Sequence, residues 1–404
     1  MAYKAYSLLM ASVLALAAAM PAAAEDVKVK IGVLNDRSGL YADISGVGSE
    51  WAAKQAVKDF GPEAKGMKVE IVAADHLNKP DVGSNIARQW IDVDHVDAIV
   101  DVPTSSVALA VNEVVREKNK VHLNSGAATS DLTGKACSPN TVHWTYDTWA
   151  LANGTGNAIV KSGGKTWFFL TADYAFGHAL ERDTSAVVVK AGGKVLGHVR
   201  VPFPGTDFSS FLLQAQASGA QVIGLANAGG DTINSIKQAG EFGITQAGQT
   251  LAGLLIFVTD VHALGLKAAQ GLVFTAPWYW DKDENSRAFS KAYYKELNRM
   301  PGYTVAGVYS AVYHYLKAVE ALKDASDGAK VVAKMKEIPT DDKLFGKGTI
   351  REDGRHIHDM YLYEVKKPEE SKYAWDYYKL RSTIPAAEAW RPLDQGGCPF
   401  IKKK

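Results

Sequence analysis

The chain has 404 residues, 47% of them hydrophobic and 22% charged, with 45 Lys and Arg against 44 Asp and Glu. That length suits two or three domains of ~150 residues, each with a substantial core. A net charge of +1 with the two signs interspersed argues against nucleic acid or an anionic membrane surface as the main partner.

The first 24 residues stand apart. Lys4 provides a positive start, Leu8 to Ala19 an apolar core, and Ala22-Ala23-Ala24 a small-residue cleavage signal ahead of Glu25-Asp26. The pattern predicts a secretory signal peptide; a retained anchor helix is the alternative, but the stretch is short for a span. Its removal takes away one charge, Lys4, and leaves the two signs equal. The mature chain is therefore expected in an exported, periplasmic setting. There the two cysteines, Cys137 and Cys398, are most simply a disulfide clipping the tail to the middle of the chain. Two unrelated free thiols are the alternative.

From Val27 the chain alternates strand and helix. Val27–Leu34 reads as the first strand, followed by a loop to about Gly46 and a helix from about Val47 to Phe60 that Gly61-Pro62 stops. Lys68–Asp75 is a strand and Asp81–Asp92 a helix. Asp97–Val102, a β-branched run ended by Pro103, leads into Thr104-Ser105-Ser106 and a helix carrying Val107, Val111, Val114 and Val115. Val121–Asn124 is the next strand, and Ser125–Ser130 a loop of small residues. Both loops leave the carboxyl ends of strands expected to be parallel neighbours, where open α/β sheets bind ligands. Their hydroxyls and uncapped N–H groups suit a carboxylate; ordinary helix capping explains either loop alone.

After a crossing at Thr141–Asn153 the alternation resumes. Helix 155–162, strand 166–170, helix 178–190, strand 194–201, helix 208–216, strand 221–226, helix 232–242 and strand 251–258 form a second α/β unit. Strand 271–275 runs into Trp278-Tyr279-Trp280, and helices are predicted over 284–298, 305–325 and 328–337. Gly348–Val365 reads as a hairpin turning at Glu352–Arg355, and the rest is an aromatic tail. The fold class is therefore α/β, two doubly wound lobes.

Motifs for catalysis or cofactors were sought without success. The sequence has no GxSxG elbow, no HExxH and no P-loop. His356 and His358 would share one strand face and could hold a metal; exposed polar positions on a hairpin are the simpler reading. The chain is expected to be neither an enzyme nor a cofactor or metal protein. Aromatics instead gather where a cleft should open: Tyr41, Tyr174, Phe176 and Trp278. Such rings can sandwich a flat or apolar ligand, or simply pack in the core.

These pieces carry a resemblance. Ile31–Leu34 with Ser38-Gly39, the Thr104–Ser106 loop, Ala127-Ala128-Thr129 before Leu132-Thr133, and Asp173–Gly177, in this order, resemble the leucine/isoleucine/valine-binding-protein family. These are type I periplasmic solute-binding proteins of ABC transporters. The resemblance spans essentially the whole mature chain. It implies two lobes on a three-stranded hinge, with lobe 1 over 25–147 and 277–352, lobe 2 over 148–276 and 353–390, and a tail 391–404. It implies a monomer delivering a small solute to an inner-membrane ABC permease. Ser105, Ser106, Ala127 and Thr129 are expected to hold a carboxylate, and Tyr41, Tyr174, Phe176, Asn227 and Trp278 to enclose the rest. Amino-acid binders of the family place an acid after the strand that follows Gly243; here stands Leu254–Phe257, with Asp231 and Asp260 the nearest candidates. A buried ammonium without a partner costs several kcal/mol, so an aromatic or apolar organic acid is expected ahead of branched-chain or other amino acids. A sensor on the same fold is the alternative, and an exported enzyme a further one.

Overall fold

The computed structural model describes residues 26–401, so the expected signal peptide and Lys402–Lys404 lie outside the described residues. Five parallel strands form the first sheet in the order β2-β1-β3-β4-β5: β1 (Val27–Asn35), β2 (Met67–Asp75), β3 (Ala98–Asp101), β4 (Val121–Asn124) and β5 (Thr141–His143). β3 and β4 are buried at every position, as parallel strands covered on both faces must be. Helices Gly46–Phe60, Pro80–Asp92 and Ser105–Glu117 supply much of that cover. The long helix Tyr303–Leu322, from far along the chain, packs on Gly46–Phe60 and on β3 and β4.

The second sheet is also parallel, in the order β7-β6-β8-β9: β6 (Thr166–Ala172), β7 (Lys194–Val201), β8 (Val222–Ala226) and β9 (Thr250–Gly253). β10 (Val273–Ala276) continues the chain. β11 (Thr340–Asp342), β12 (Gly346–Ile350) and β13 (His356–Ile357) make a small antiparallel sheet. β14 (Met360–Val365) and β15 (Tyr378–Ile384) join β10 in another. Three segments pass between the two halves, around 144–148, 277–283 and 353–358; His143, at the end of β5 just before the first, forms a parallel bridge with Arg355 of the third.

Four local expectations are revised. The helix expected over 155–162 begins at Thr148 and runs to Lys161 through a π turn at Ala152–Gly156. There a Cβ on Gly154 would lie 2.2 Å from the Thr275 hydroxyl, so the wide turn lets helix and strand approach. The strand expected over 251–258 stops at Gly253; Leu254–Phe257 is buried loop, and helix Val258–Leu264 follows with the Asp260 carboxylate accepting from Phe257 N at 2.9 Å. An apolar run of that length is equally at home in strand or buried loop. β12 and β13 pair as the hairpin required, but β14 leaves for β10 and β15. Lastly, His356 and His358 are not exposed. His356 stacks on Trp144 at 4.1 Å and hydrogen-bonds Thr340 at 2.9 Å, and both imidazoles are buried. Among the described residues no group of three or more His, Cys, Asp or Glu could hold a metal.

Cys137 and Cys398 are bonded, with Cα atoms 5.6 Å apart, within ordinary disulfide reach.

Candidate functional site

The loop after β1 is built on one carboxylate. Asp36 accepts from the backbone N–H groups of Gly39 and Tyr41, each at 2.7 Å, and from Asn78 Nδ2 at 2.6 Å. Asn78 in turn accepts from the Thr104 hydroxyl, tying this loop to the start of helix Ser105–Glu117. So fixed, Tyr41 points its phenol across the gap between the sheets to that of Tyr174, and the two oxygens share a hydrogen bond at 2.5 Å. Tyr174 is backed by Phe203, stacked at 4.1 Å, and lies beside Phe176. Gly229 has φ +57°, and its Cα side faces Leu40 O and the Tyr41 ring, so the two halves touch there with no room for a larger residue.

At the end of β3 the chain takes two left-handed steps, Asp101 (φ +84°) and Val102 (φ +50°). For a β-branched residue this is strained, and it swings Pro103 toward the gap. Gly126 approaches so closely that a Cβ would lie 2.5 Å from Pro103 Cα. Its carbonyl accepts from the Tyr146 hydroxyl at 2.6 Å, which brings the crossing segment against the same space.

What remains between the sheets is a narrow gap of about 10 Å³, nearly closed by the side chains that line it. Tyr41, Ile44, Pro103, Gly126, Ala128 and Tyr146 line it from one side, and Tyr174, Phe176, Ala228 and Leu255 from the other. None of the ten is charged. Burial raises the Tyr41 phenol well above its usual range, with the neighbouring Tyr174 adding to it, and burial does the same at Tyr146. These phenols stay protonated and able to donate.

Three buried acids stand behind the wall. Asp101 bonds Asn35 through one oxygen and leaves the other without a partner; burial pushes its pKa up to about 6, against the hydrogen bond from Asn35. Asp231 accepts from Gly205 N at 3.0 Å, its other oxygen unpartnered. Burial lifts it to about 7, as it does Asp260. Raised in this way, the three carboxyls carry less negative charge near neutral pH than ordinary aspartates do.

The residues expected at the site divide. Tyr41, Tyr174 and Phe176 come together in the cavity wall. Ser105 and Thr129 meet each other instead: the Ser105 hydroxyl accepts from Thr129 N at 3.2 Å, and the Thr129 hydroxyl from Asp131 N at 3.3 Å. Ser106 is half-buried in the first turn of its helix and outside the lining. Ala127 spends its backbone on Asn124 and on the His143 ring at 2.8 Å, while its neighbours Gly126 and Ala128 face the cavity. Asn227 bonds Thr232 and Ser235 within its own half. Trp278 gives its N–H to Ser286 at 2.9 Å and packs edge-on against Phe289, so neither of these lines the cavity. Ile44, Pro103, Gly126, Ala128, Ala228 and Leu255 were not singled out because small apolar residues carry no signal of their own. Tyr146 lay in a crossing that the sequence did mark.

Two parallel sheets, three crossings and an aromatic-lined gap between them define a type I solute-binding architecture. Comparison with known proteins agrees. The family described as "Periplasmic binding protein" matches residues 28–372. A periplasmic binding protein from Burkholderia mallei is 54% identical, with a TM-score of 0.91 over 93% of this chain and 99% of its own. A branched chain amino acid ABC transporter periplasmic ligand-binding protein from Burkholderia xenovorans LB400 is 40% identical, TM-score 0.82, over 92% and 99%. The Leu/Ile/Val-binding protein homolog 6 of Brucella melitensis is 27% identical over 363 residues, 88% of this chain and 92% of its length. The chain belongs to the periplasmic binding proteins, in the branch typified by leucine/isoleucine/valine binding.

Proposed function

We propose that the chain captures a small organic acid with an aromatic or compact apolar body and hands it to an inner-membrane ABC permease. The observation that carries this reading is the lining of the gap: three phenols, Phe176 and apolar residues, with no charged side chain among them. With about 10 Å³ free in this closed form, the lobes must part to admit a single ring or a short branched chain, which the phenols and Phe176 then enclose. The wall offers an α-ammonium no ionised acid. A carboxylate finds help at the Pro103 end, where the N–H groups of Ser105, Ser106 and Val107 precede the first intrahelical bond, made by Ala108 N to Thr104 O. Such a first turn attracts anions, and the Ser106 hydroxyl stands in it. Solute-binding proteins from Rhodopseudomonas palustris have been solved with benzoate and with 4-hydroxybenzoate. At 20% and 23% identity they share the fold alone, which shows what load this fold accommodates.

Calorimetric titration with benzoate, 4-hydroxybenzoate, a short aliphatic acid and leucine tests the reading. The acids lacking an amino group are expected to bind, and leucine to bind more weakly. Tighter binding of leucine than of any of them overturns it.

A further inference from the structure

Beyond β15 the chain does not trail into solvent; it crosses the back of the hinge. Asn153 Nδ2, from the helix that opens the second half, donates to Glu388 O at 2.9 Å. The Trp390 N–H donates to His358 O at 2.8 Å, and the buried Arg355 guanidinium lies 4.4 Å from the Trp390 ring. Trp390 therefore rests on a crossing segment. Arg391, the next residue, turns to the first half: its guanidinium donates to Ser130 O at 2.9 Å and reaches the Ser130 hydroxyl at 3.5 Å. The arm then passes Gly134 and ends in the bond from Cys398 to Cys137.

Ser130 is also where the two halves meet at the cleft rim. Its hydroxyl donates to Asp183 Oδ2 at 2.6 Å, and Asp183 is carried by helix Ala175–Lys190 of the second half. Arg182 of the same helix donates to the Ser130 hydroxyl at 2.9 Å and to Asp131 at 3.0 Å. Thr148 completes the cluster with a 2.6 Å bond to Asp183. Two carboxylates and two guanidiniums thus balance across the rim, one guanidinium from each half. Opening the lobes must pull Asp183 and Arg182 away from Ser130 and Asp131. The contact from Arg391, within the first half and its arm, holds the serine where Asp183 finds it.

We infer that Arg391 is a positioning residue for lobe closure, and that the Cys137–Cys398 bond acts on closure by keeping Arg391 against Ser130. The inference rests on this chain closing on a solute but not on which solute. Loss of a charge-assisted contact at a partly buried site is expected to raise the dissociation rate of bound 4-hydroxybenzoate roughly tenfold, with the association rate little changed. Arg391→Lys, which keeps the charge and one hydrogen bond, should recover part of the loss.

The decisive measurement needs no ligand. Spin labels on noncanonical residues replacing Lys79 and Thr206, both exposed and one in each half, report the interlobe distance in the whole protein. Arg391→Ala is expected to shift the distribution to longer distances while near-ultraviolet circular dichroism keeps its native form. Reducing the disulfide of the folded wild type with a phosphine should shift it the same way, and reduction of Arg391→Ala should add little, since both act through one arm. The inference is overturned if Arg391→Ala leaves the wild-type distribution, or if reduction adds its full effect to that of Arg391→Ala. Failure of 4-hydroxybenzoate to bind, with the distances shifting as stated, counts against the proposed solute and leaves this inference standing.

Discussion

The Tyr41–Tyr174 hydrogen bond offers a test of closure with an unusual sign. Its two oxygens sit 2.5 Å apart inside the closed protein, and Tyr41 is 2% exposed. Tyr174→Phe removes one phenol and strands the other where water does not reach. An orphaned buried hydroxyl costs ~1–3 kcal/mol, and the cost falls on the closed form only, because in the open form the Tyr41 hydroxyl meets solvent. The apparent Kd of the bound acid should therefore rise roughly 5–150-fold. Tyr41→Phe should behave alike. The double variant leaves no orphan, and two phenyl edges in contact are close to neutral, so its Kd should return toward the wild-type value. Calorimetry on the four proteins closes the cycle. A double variant weaker than either single, by about the sum of the two losses, would refute the account of this pair as a closure contact.

Acid should unfold this protein through its histidines. Burial holds His76 and His314 near about 4, His122 and His358 near about 3, and His143 and His356 well below their usual value. Their stabilisation is complete above the unfolded pKa of ~6.5 and is lost as pH falls. Asp101, Asp231 and Asp260 work in the opposite sense: raised to about 6 and 7, they favour the fold at low pH and weaken it as pH rises toward 7. Six histidines outnumber the four raised acids, Asp342 included, so unfolding takes up protons on balance between pH ~5 and 6, each net proton worth ~1.4 kcal/mol per unit. Urea midpoints at pH 5 and 6.5 check this; equal stability at the two values contradicts it. In the hinge, Asp147→Ala should cost ~3–5 kcal/mol in urea unfolding, because it leaves the wholly buried Arg355 without its partner at 3.4 Å and removes the cap on Ala150 N. Arg355→Met should cost less. Gly126→Ala should both weaken solute binding and lower the urea midpoint, since the added methyl would lie 2.5 Å from the Pro103 Cα in the cavity wall and the backbone must shift; wild-type affinity in that variant contradicts the placement of the site.

Much of the frame was legible because parallel sheets write themselves plainly. β3 and β4 are short β-rich segments, Pro103 follows one of them, and Gly61 and Gly192 follow helices. The cysteine pair was legible too, there being no other thiol to choose. Less legible was which face of a loop looks inward. Ser105 and Thr129 have the chemistry of carboxylate ligands, yet a buried hydroxyl beside a buried N–H satisfies both, and that local bond claims the pair. Ala128, one residue before Thr129, faces the cavity with nothing in its chemistry to announce it. Asp36 went unmarked for a similar reason: its work is done entirely on backbone N–H groups and one amide, which no spacing of side chains reveals. The path of the tail was hidden because its contacts, Trp390 to His358 and Arg391 to Ser130, join residues far apart in sequence.

In the closed form the halves also meet where Tyr303 stacks on Phe257 at 4.7 Å and donates to Ile256 O at 3.2 Å. The phenol pair inside and the Ser130–Asp183 cluster at the rim each contribute on the order of 1 kcal/mol net, and part of that is repaid to water on opening. A solute held between the rings makes its contacts with both halves in the closed form only. An aromatic ring buries ~150–250 Å², which at ~25 cal/mol per Å² is ~4–6 kcal/mol. Driving a two-state equilibrium from 1:99 to 99:1 takes ~5.5 kcal/mol of differential binding. The two magnitudes match, so a single enclosed ring suffices to shut the lobes without a charged residue in the wall.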